Sequence, residues 1–485
     1  MGAEFTFTDI PWGINLILLP LAAGMVCFLW PCMAKPLGLS SAFAVVLSVA
    51  GLGWRMQGYG VYRHAVGGWG APLGIELYAD GLSLSMLAAT ALVGLGVSVY
   101  SAGYFEPRQS ARFWPLWLVL MAALNALFLS ADIFNLYVTL ELMGLAAVSL
   151  AALAGGGDAL SGAMRYLLAT LLGSLAYLLG VALLYHGFGS LDIALLAKRV
   201  APNPALWAAL GLMTAGLTLK TALFPLHFWL PPAHASAPAP VSALLSALVV
   251  KASFYILLRL WLEIFGSFAS GVDALLGLLG AAAVIWGSLQ ALLQTRLKLL
   301  VAYSTVAQIG YLFMAFPLAA AGVSAWAAAA YLALSHALAK AAMFLAAGNL
   351  LHFGGHDRIE DLDRTVQRLP LTMGAFALAG VSSMGLPPSG GFIAKWLLLE
   401  AALTQGRWDL AAVMILGGLL AAGYIFKVLG YAFTQATVLR ESRAVPAGME
   451  WAALLLATGA ILLGFLAAPV LALLGIGDPF GEVGP

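Results

Sequence analysis

Glu141, Lys220, Lys251, Lys340 and Lys395 each interrupt a stretch of otherwise apolar residues. A side chain that takes up or sheds a proton in such a stretch is suited to carrying charge through a low-dielectric barrier. An ionisable group at bilayer depth costs roughly 2.5–3.5 kcal/mol even on lenient insertion scales, so several in one chain point to ion movement across a membrane. His336 and Lys340 are four apart and share one helix face, which suits a two-member step in a proton path. A buried lysine holds its proton loosely enough for a neighbouring charge to decide whether it is kept. Glu141 beside Lys220 is the economical pairing, because each charge lowers the desolvation cost of the other.

The elements that carry these groups are interrupted. The seventh apolar stretch places Lys220 just over one turn before Pro225 and sets His227 and His234 around Pro231 and Pro232; the twelfth places Pro387, Pro388, Gly390 and Gly391 before Lys395. Proline removes a backbone hydrogen bond and clashes with the preceding turn, and a glycine pair adds slack, so both helices are expected to break near mid-membrane. Backbone exposed there is tolerated only inside protein or beside a water-filled cavity. Breaker and charge recur in both halves with the order of Lys and Pro reversed, a pattern expected of an inverted-topology repeat.

Composition sets the class. With 62% hydrophobic residues, 9% charged residues and a mean hydropathy of +0.98, the chain is far from a soluble domain, whose charged fraction is about 25%. About 14 apolar runs reach the roughly 20 residues needed to span a bilayer, which predicts an all-α integral membrane protein. Basic residues cluster in alternate connections: Lys35, Arg108, Arg112, Arg165, Arg296, Lys298, Arg358, Arg364, Arg368, Arg440 and Arg443 on one side, against Arg55, Arg63, Lys198, Arg199 and Arg407. The positive-inside rule makes the first side cytoplasmic and both termini external. The first 13 residues hold Glu4 and Asp9 and no Lys or Arg, unlike the basic start of a cleaved signal, so the first helix is expected to stay.

Other classes are excluded. A net charge of +1 without a basic run offers no footprint for nucleic acid. Gly155-Gly156-Gly157 lacks the Lys-Ser/Thr of a nucleotide loop, and no metal-ligand spacing or cofactor signal is present. Cys27 and Cys32 read as small core residues. Lesser assignments follow. His227 and His234 are relay groups or helix caps. Lys427 is a further lysine of the path or a snorkelling side chain, with the path preferred. His186 is interfacial, Arg259 and Glu263 form a surface ion pair, and Asp80 and Asp132 favour helix N-termini. The connection 55–77 is a short hairpin or interfacial loop, and a surface helix is expected over Ile359 to Leu369.

The run from Lys220 through Phe-Pro-Leu-His-Phe-Trp-Leu-Pro-Pro-Ala-His to Lys251, the segment Val301 to Tyr311, and Gly385-Leu-Pro-Pro-Ser-Gly-Gly-Phe-Ile-Ala-Lys395 resemble the antiporter-like subunits shared by respiratory complex I, membrane-bound hydrogenases and Mrp-type Na+/H+ antiporters. Asp132-Ile-Phe-Asn-Leu-Tyr-Val-Thr-Leu-Glu141 is most similar to the D-type member of the Mrp antiporters, although the Ser-Thr-Val-Ala-Gln run is also common in hydrogenase-type relatives. The resemblance implies 14 helices in two inverted five-helix repeats: 1–113 holds helices 1–3, 114–263 the first repeat, 264–435 the second and 436–485 helix 14, with helices 7 and 12 broken. It implies a transporter subunit in a bacterial cell membrane rather than an enzyme, with other membrane subunits, lipid, protons and Na+ as partners. Glu141 and Lys220 become an input pair, Lys251 a connector, His336 and Lys340 a second-half relay and Lys395 an exit. The alternatives are a proton-pumping subunit of a dehydrogenase or hydrogenase complex, and an energy-coupling partner of an inorganic-carbon uptake complex.

Overall fold

A computed structural model describes residues 10–269, 271–321, 324–434, 443–478 and 480. Glu4, Asp9 and Arg440 lie outside them. Thirteen helical stretches among the described residues are long and apolar enough to cross a membrane: Trp12–Leu29, Pro31–Tyr59, Gly81–Tyr104, Pro107–Phe128, Ile133–Ala154, Gly156–Phe188, Pro204–Ser236, Ala239–Phe265, Val272–Leu293, Leu297–Ala319, Ala325–Gly354, Trp408–Phe433 and Ala447–Phe465. Two shorter helices, Pro370–Met384 and Gly390–Thr404, follow one another before Trp408. Taken as two halves of one broken span they are span 12, and the spans number 14 in chain order. The protein is a multi-pass membrane protein.

Alternation of the spans gives two faces. The hairpin, Asp80, Asp132 and Glu263 share the face of the first span's start, here face A; Gly155, Ser236, Arg296 and Asp357 share the other, face B. Spans 8 and 11 are wholly buried across their apolar windows, whereas spans 1, 9 and 13 keep most of theirs on the surface. An all-round apolar helix suits either the protein interior or lipid contact, and the two enclosed ones carry Lys251, His336 and Lys340.

Both breaks end their first half the same way. In span 7 the helix Pro204–Thr221 stops at Ala222, in the left-handed region at φ 60°, with the amides of Ala222 and Leu223 bonding back to Leu219 and Thr218. In span 12, Pro370–Met384 stops at Gly385, φ 85°, with Gly385 and Leu386 bonding back to Ser382 and Val381. Each pair is the double bond of a Schellman stop, and only the second has the glycine that makes it free of strain. Gly391 is required for a different reason: a Cβ there would lie 1.9 Å from the Ser382 carbonyl oxygen.

The connection after span 2 forms an antiparallel hairpin, Tyr62–Ala65 with Glu76–Ala79, in the register Tyr62 to Ala79. A single helix over Ile359 to Leu369 does not form. A 3-10 turn, Ile359–Asp361, and one helical turn, Thr365–Arg368, replace it, because Arg364 between them is left-handed at φ 56° and interrupts the ladder. Asp80 and Asp132 do cap spans 3 and 5, each accepting from backbone amides of the first turn.

Candidate functional site

Glu141 projects from the middle of span 5 and Lys220 from the last turn before the span 7 break. Lys220 Nζ donates to Glu141 Oε1 at 3.3 Å, and Ser174 of span 6 lies between them, receiving a short hydrogen bond from Lys220 and donating another to Glu141. Close backbone approach places Ser174 there. A Cβ on Gly216 would lie 2.3 Å from the Gly173 carbonyl oxygen, and one on Gly173 would lie 2.9 Å from Lys220 Cγ. Two glycines in contact therefore let spans 6 and 7 touch beside the lysine. Trp229 Nε1 donates to the Leu219 carbonyl at 2.9 Å and stacks on Tyr166, so the second half of span 7 covers the carbonyl end of the first.

Lys251 follows a π-helical segment of span 8, Leu245–Val249, and donates to the Ser246 carbonyl at 2.5 Å. Single-turn π-segments leave backbone groups out of the i to i−4 ladder, which supplies an acceptor. Ser246 Oγ meets Thr305 Oγ1 at 2.8 Å; Thr305 donates to the Val301 carbonyl at 3.0 Å, which Lys340 Nζ also contacts at 3.3 Å. Lys340 donates further to Ser304. Polar contacts through the carbonyl and hydroxyl of Ser246 and through Thr305 thus lie between the lysines of spans 8 and 11. His336 is buried, both ring nitrogens lack a hydrogen-bond partner among the described residues, and Lys251, Lys340 and Lys395 are all within its electrostatic reach.

Lys395 turns back across the second break. Its Nζ donates to the Ser383 carbonyl at 2.7 Å and to Met384 at 3.5 Å, and sits 4.2 Å from the centroid of the Tyr311 ring. The ammonium therefore rests on the carbonyl end of the first half-helix, where the helix dipole favours a cation. Gln308 donates to the same Ser383 carbonyl at 2.9 Å. A cavity of about 260 Å3 lined by Met384, Gly385, Lys395 and Trp396 opens beside it. Among the described residues no hydrogen bond joins Lys220 to Lys251.

Other sequence-derived assignments are redistributed. Lys427 is not brought to the row: it donates at 2.8 Å to the carbonyls of Leu292 and Gln294, capping the end of span 9 at face B. His227 is half-buried against Phe224, whereas His234 is fully buried and stacked on Phe344. His186 is exposed in the last turn of span 6. Cys27 is buried but Cys32 is exposed, because the chain leaves the helix at Trp30.

Arg259 and Glu263 are not a surface pair. Arg259 is buried and grips Asp80 with both terminal nitrogens, at 2.5 and 2.8 Å, with Glu263 only a 3.8 Å neighbour. Burial alone would raise the Asp80 pKa; the guanidinium overrides it and holds the carboxyl below its ordinary value. Lys298, expected among the basic residues of a connection, is buried and donates to the carbonyls of Ala235 and Ala237. Its signal was present: a lysine in the first turn of a helix opposes the dipole unless something else holds it. Ser174 and Ser304 carried no signal, since serine in an apolar helix is common.

The family described as "NADH:quinone oxidoreductase/Mrp antiporter, TM" matches residues 130–421. NADH-quinone oxidoreductase subunit N of Desulforudis audaxviator is 38% identical over 90% of this chain and 89% of its own. The D-type subunit of the Na(+)/H(+) antiporter of Alkalihalophilus pseudofirmus is 30% identical over 86% of each. A chain in the structure of the membrane-bound sulfane sulfur reductase, an archaeal respiratory membrane complex, superimposes with a TM-score of 0.90 at 27% identity, covering 97% of this chain and 98% of that one.

Proposed function

The chain belongs to the NADH:quinone oxidoreductase/Mrp antiporter membrane family, and from that premise we propose that it is the proton-translocating subunit of a multisubunit Na+/H+ antiporter. The observation that carries this reading is the Glu141, Ser174 and Lys220 triad at a mid-membrane helix break. A carboxylate and an ammonium joined through a hydroxyl exchange a proton with little movement, and separating them changes the field along the rest of the row. Lys251, His336 and Lys340 relay charge through the second half, and Lys395 passes it out at the second break. His234 stands where the halves meet. Spans 7 and 12 run in opposite directions and share the same left-handed stop, which supports inverted repeats over 114–263 and 264–435. Face B is cytoplasmic in this reading, on the count of basic residues, and both termini lie outside a bacterial inner membrane.

A second reading has its own support. The higher identity to a NADH-quinone oxidoreductase subunit, and the likeness to a chain of a respiratory complex, favour proton pumping powered by a redox module. The native complex reconstituted in vesicles containing a pH dye separates the two. The antiporter reading expects a Na+ pulse alone to move protons. Proton movement that requires an electron donor and ignores Na+ overturns it in favour of the redox-powered reading.

A further inference from the structure

The cavity beside Lys395 opens sideways, at the depth of the hydrocarbon. Its wall joins the span 12 break to span 13, and Leu386, Trp396, Ile415 and Leu419 around it are exposed apolar side chains. Counting 1.5 Å per residue from Trp408, Ile415 to Ala422 stand roughly 10–20 Å along span 13, in the middle of a hydrocarbon core about 30 Å thick. Lys395 is the one charged side chain in the wall. Its Nζ has two carbonyls and the Tyr311 ring as partners but no carboxylate among the described residues, whereas Lys220 has Glu141. In its charged form Lys395 is therefore a buried cation without a counter-charge, and an anion brought to it offsets the desolvation of both. At about 260 Å3 the cavity falls below the range of drug-sized sites, which suits a narrow chain. A second cavity of the same volume, lined by Leu92, Val99, Leu338, Trp451 and Leu455 of spans 3, 11 and 14, also carries exposed apolar side chains but no charged one.

We infer that the cavity beside Lys395 binds a long-chain fatty acid, with its chain against Phe392, Trp396 and Leu419 and its carboxylate on the lysine ammonium. A phospholipid keeps its phosphate at the membrane surface and offers this lysine only a hydrocarbon tail. A fatty acid carries a single carboxyl, which enters the hydrocarbon uncharged at far lower cost than an ion. On arrival the acid gives its proton to the neutral amine of Lys395: an O–H bond breaks, an N–H bond forms, and ammonium and carboxylate remain paired with no net charge brought in. The bound acid thus supplies Lys395 with the partner that Glu141 supplies to Lys220. Binding needs the lysine and the cavity, not a moving proton, so the site goes beyond the transport proposed for the row.

Photolabelling tests this in membrane vesicles holding the intact complex. The probes are a long-chain fatty acid with a diazirine in mid-chain, its methyl ester, and a phosphatidylcholine carrying the same chain, with labelled peptides mapped by mass spectrometry. The acid is expected to label the second half of span 12 and span 13 roughly ten-fold or more above the ester, the scale of one hydrogen bond between charged groups. At the uncharged cavity of spans 3 and 14, acid and ester should label alike. Lys395→Gln should lower acid labelling to the ester's level. Gly418→Leu should remove it by filling the cavity, since a Cβ there meets only the Met384 carbonyl oxygen, at 3.4 Å. Equal labelling by acid and ester beside Lys395 overturns the proposal, as does undiminished acid labelling of Lys395→Gln. Phosphatidylcholine labelling as strong as the acid's makes the cavity an ordinary lipid contact and overturns it too. If Lys395→Gln fails to assemble, the acid and ester contrast in the wild type decides with Gly418→Leu. None of these readouts involves transport, so their failure leaves the proposed function standing, and loss of that function leaves the site.

Discussion

Lys220 and Glu141 meet at 3.3 Å, yet the lysine side chain is 3% exposed and the glutamate 22%. The pair is lopsided: its cation is sealed inside the protein, and its carboxylate reaches the flank formed by spans 5 and 6. A change beside that flank therefore acts on the carboxylate first and on the lysine through it.

Lys220→Ala should assemble and lose proton movement by roughly 100-fold or more, the scale of a lost acid–base group. Lys220→Arg should restore little, because arginine keeps its proton. Transport assays in vesicles check both, and a wild-type rate in Lys220→Ala contradicts the role assigned to it.

Glu141→Gln keeps the volume and the ability to accept from Ser174 but removes the titratable group. It should be inactive, while Glu141→Asp keeps partial activity. Near-normal transport by the glutamine variant would make Glu141 a structural partner only.

Lys427 caps the carbonyls of Leu292 and Gln294 at the end of span 9 and makes no hydrogen bond to the buried row among the described residues, so its charge is expected to be dispensable for transport. Lys427→Gln, which still donates hydrogen bonds, should move protons within about two-fold of wild type and lose at most about 1 kcal/mol of stability. Loss of transport in an assembled complex would return Lys427 to the row.

Asp80→Asn should destabilise the protein by roughly 3–5 kcal/mol, because it leaves Arg259 buried without its counter-charge. The native pKa of Asp80 is depressed, so its contribution is present above the ordinary carboxylate value and is lost as pH falls through the depressed one. Thermal unfolding in detergent should thus show an Asp80-dependent difference that is flat from about pH 5 to 8 and shrinks in acid. A Tm unchanged by the substitution would dismiss the pair as a clamp between spans 3 and 8.

Orientation is checked with single cysteines in a background lacking Cys27 and the exposed Cys32. Ser161→Cys, exposed near the start of span 6 on face B, should react with an impermeant thiol reagent from the cytoplasm only; Trp69→Cys, exposed in the hairpin loop on face A, from outside only. Labelling of both from one side would contradict the alternation of spans, and reversed labelling would contradict the arginine count.

Membrane class, span positions and the breaks at Pro225 and Pro387 were legible in the sequence, because apolar length and proline geometry act along the chain. Lys220, Lys251, Lys340 and Lys395 stood out for the same reason, each a charge within a single apolar run. What became of each charge was decided between runs. The sequence puts Lys298 in a connection and Lys427 inside a span, yet Lys298 turns inward onto the end of span 7 and Lys427 caps the end of span 9. Arg259 has Glu263 one turn away but binds Asp80, 179 residues distant, because span 3 delivers a capping carboxylate to its level. Ser174 became the link between Glu141 and Lys220 only because Gly173 and Gly216 let two backbones meet. Hydropathy is a property of one helix at a time; the partner of a buried charge is set by which helix packs beside it, and that only the tertiary structure decided.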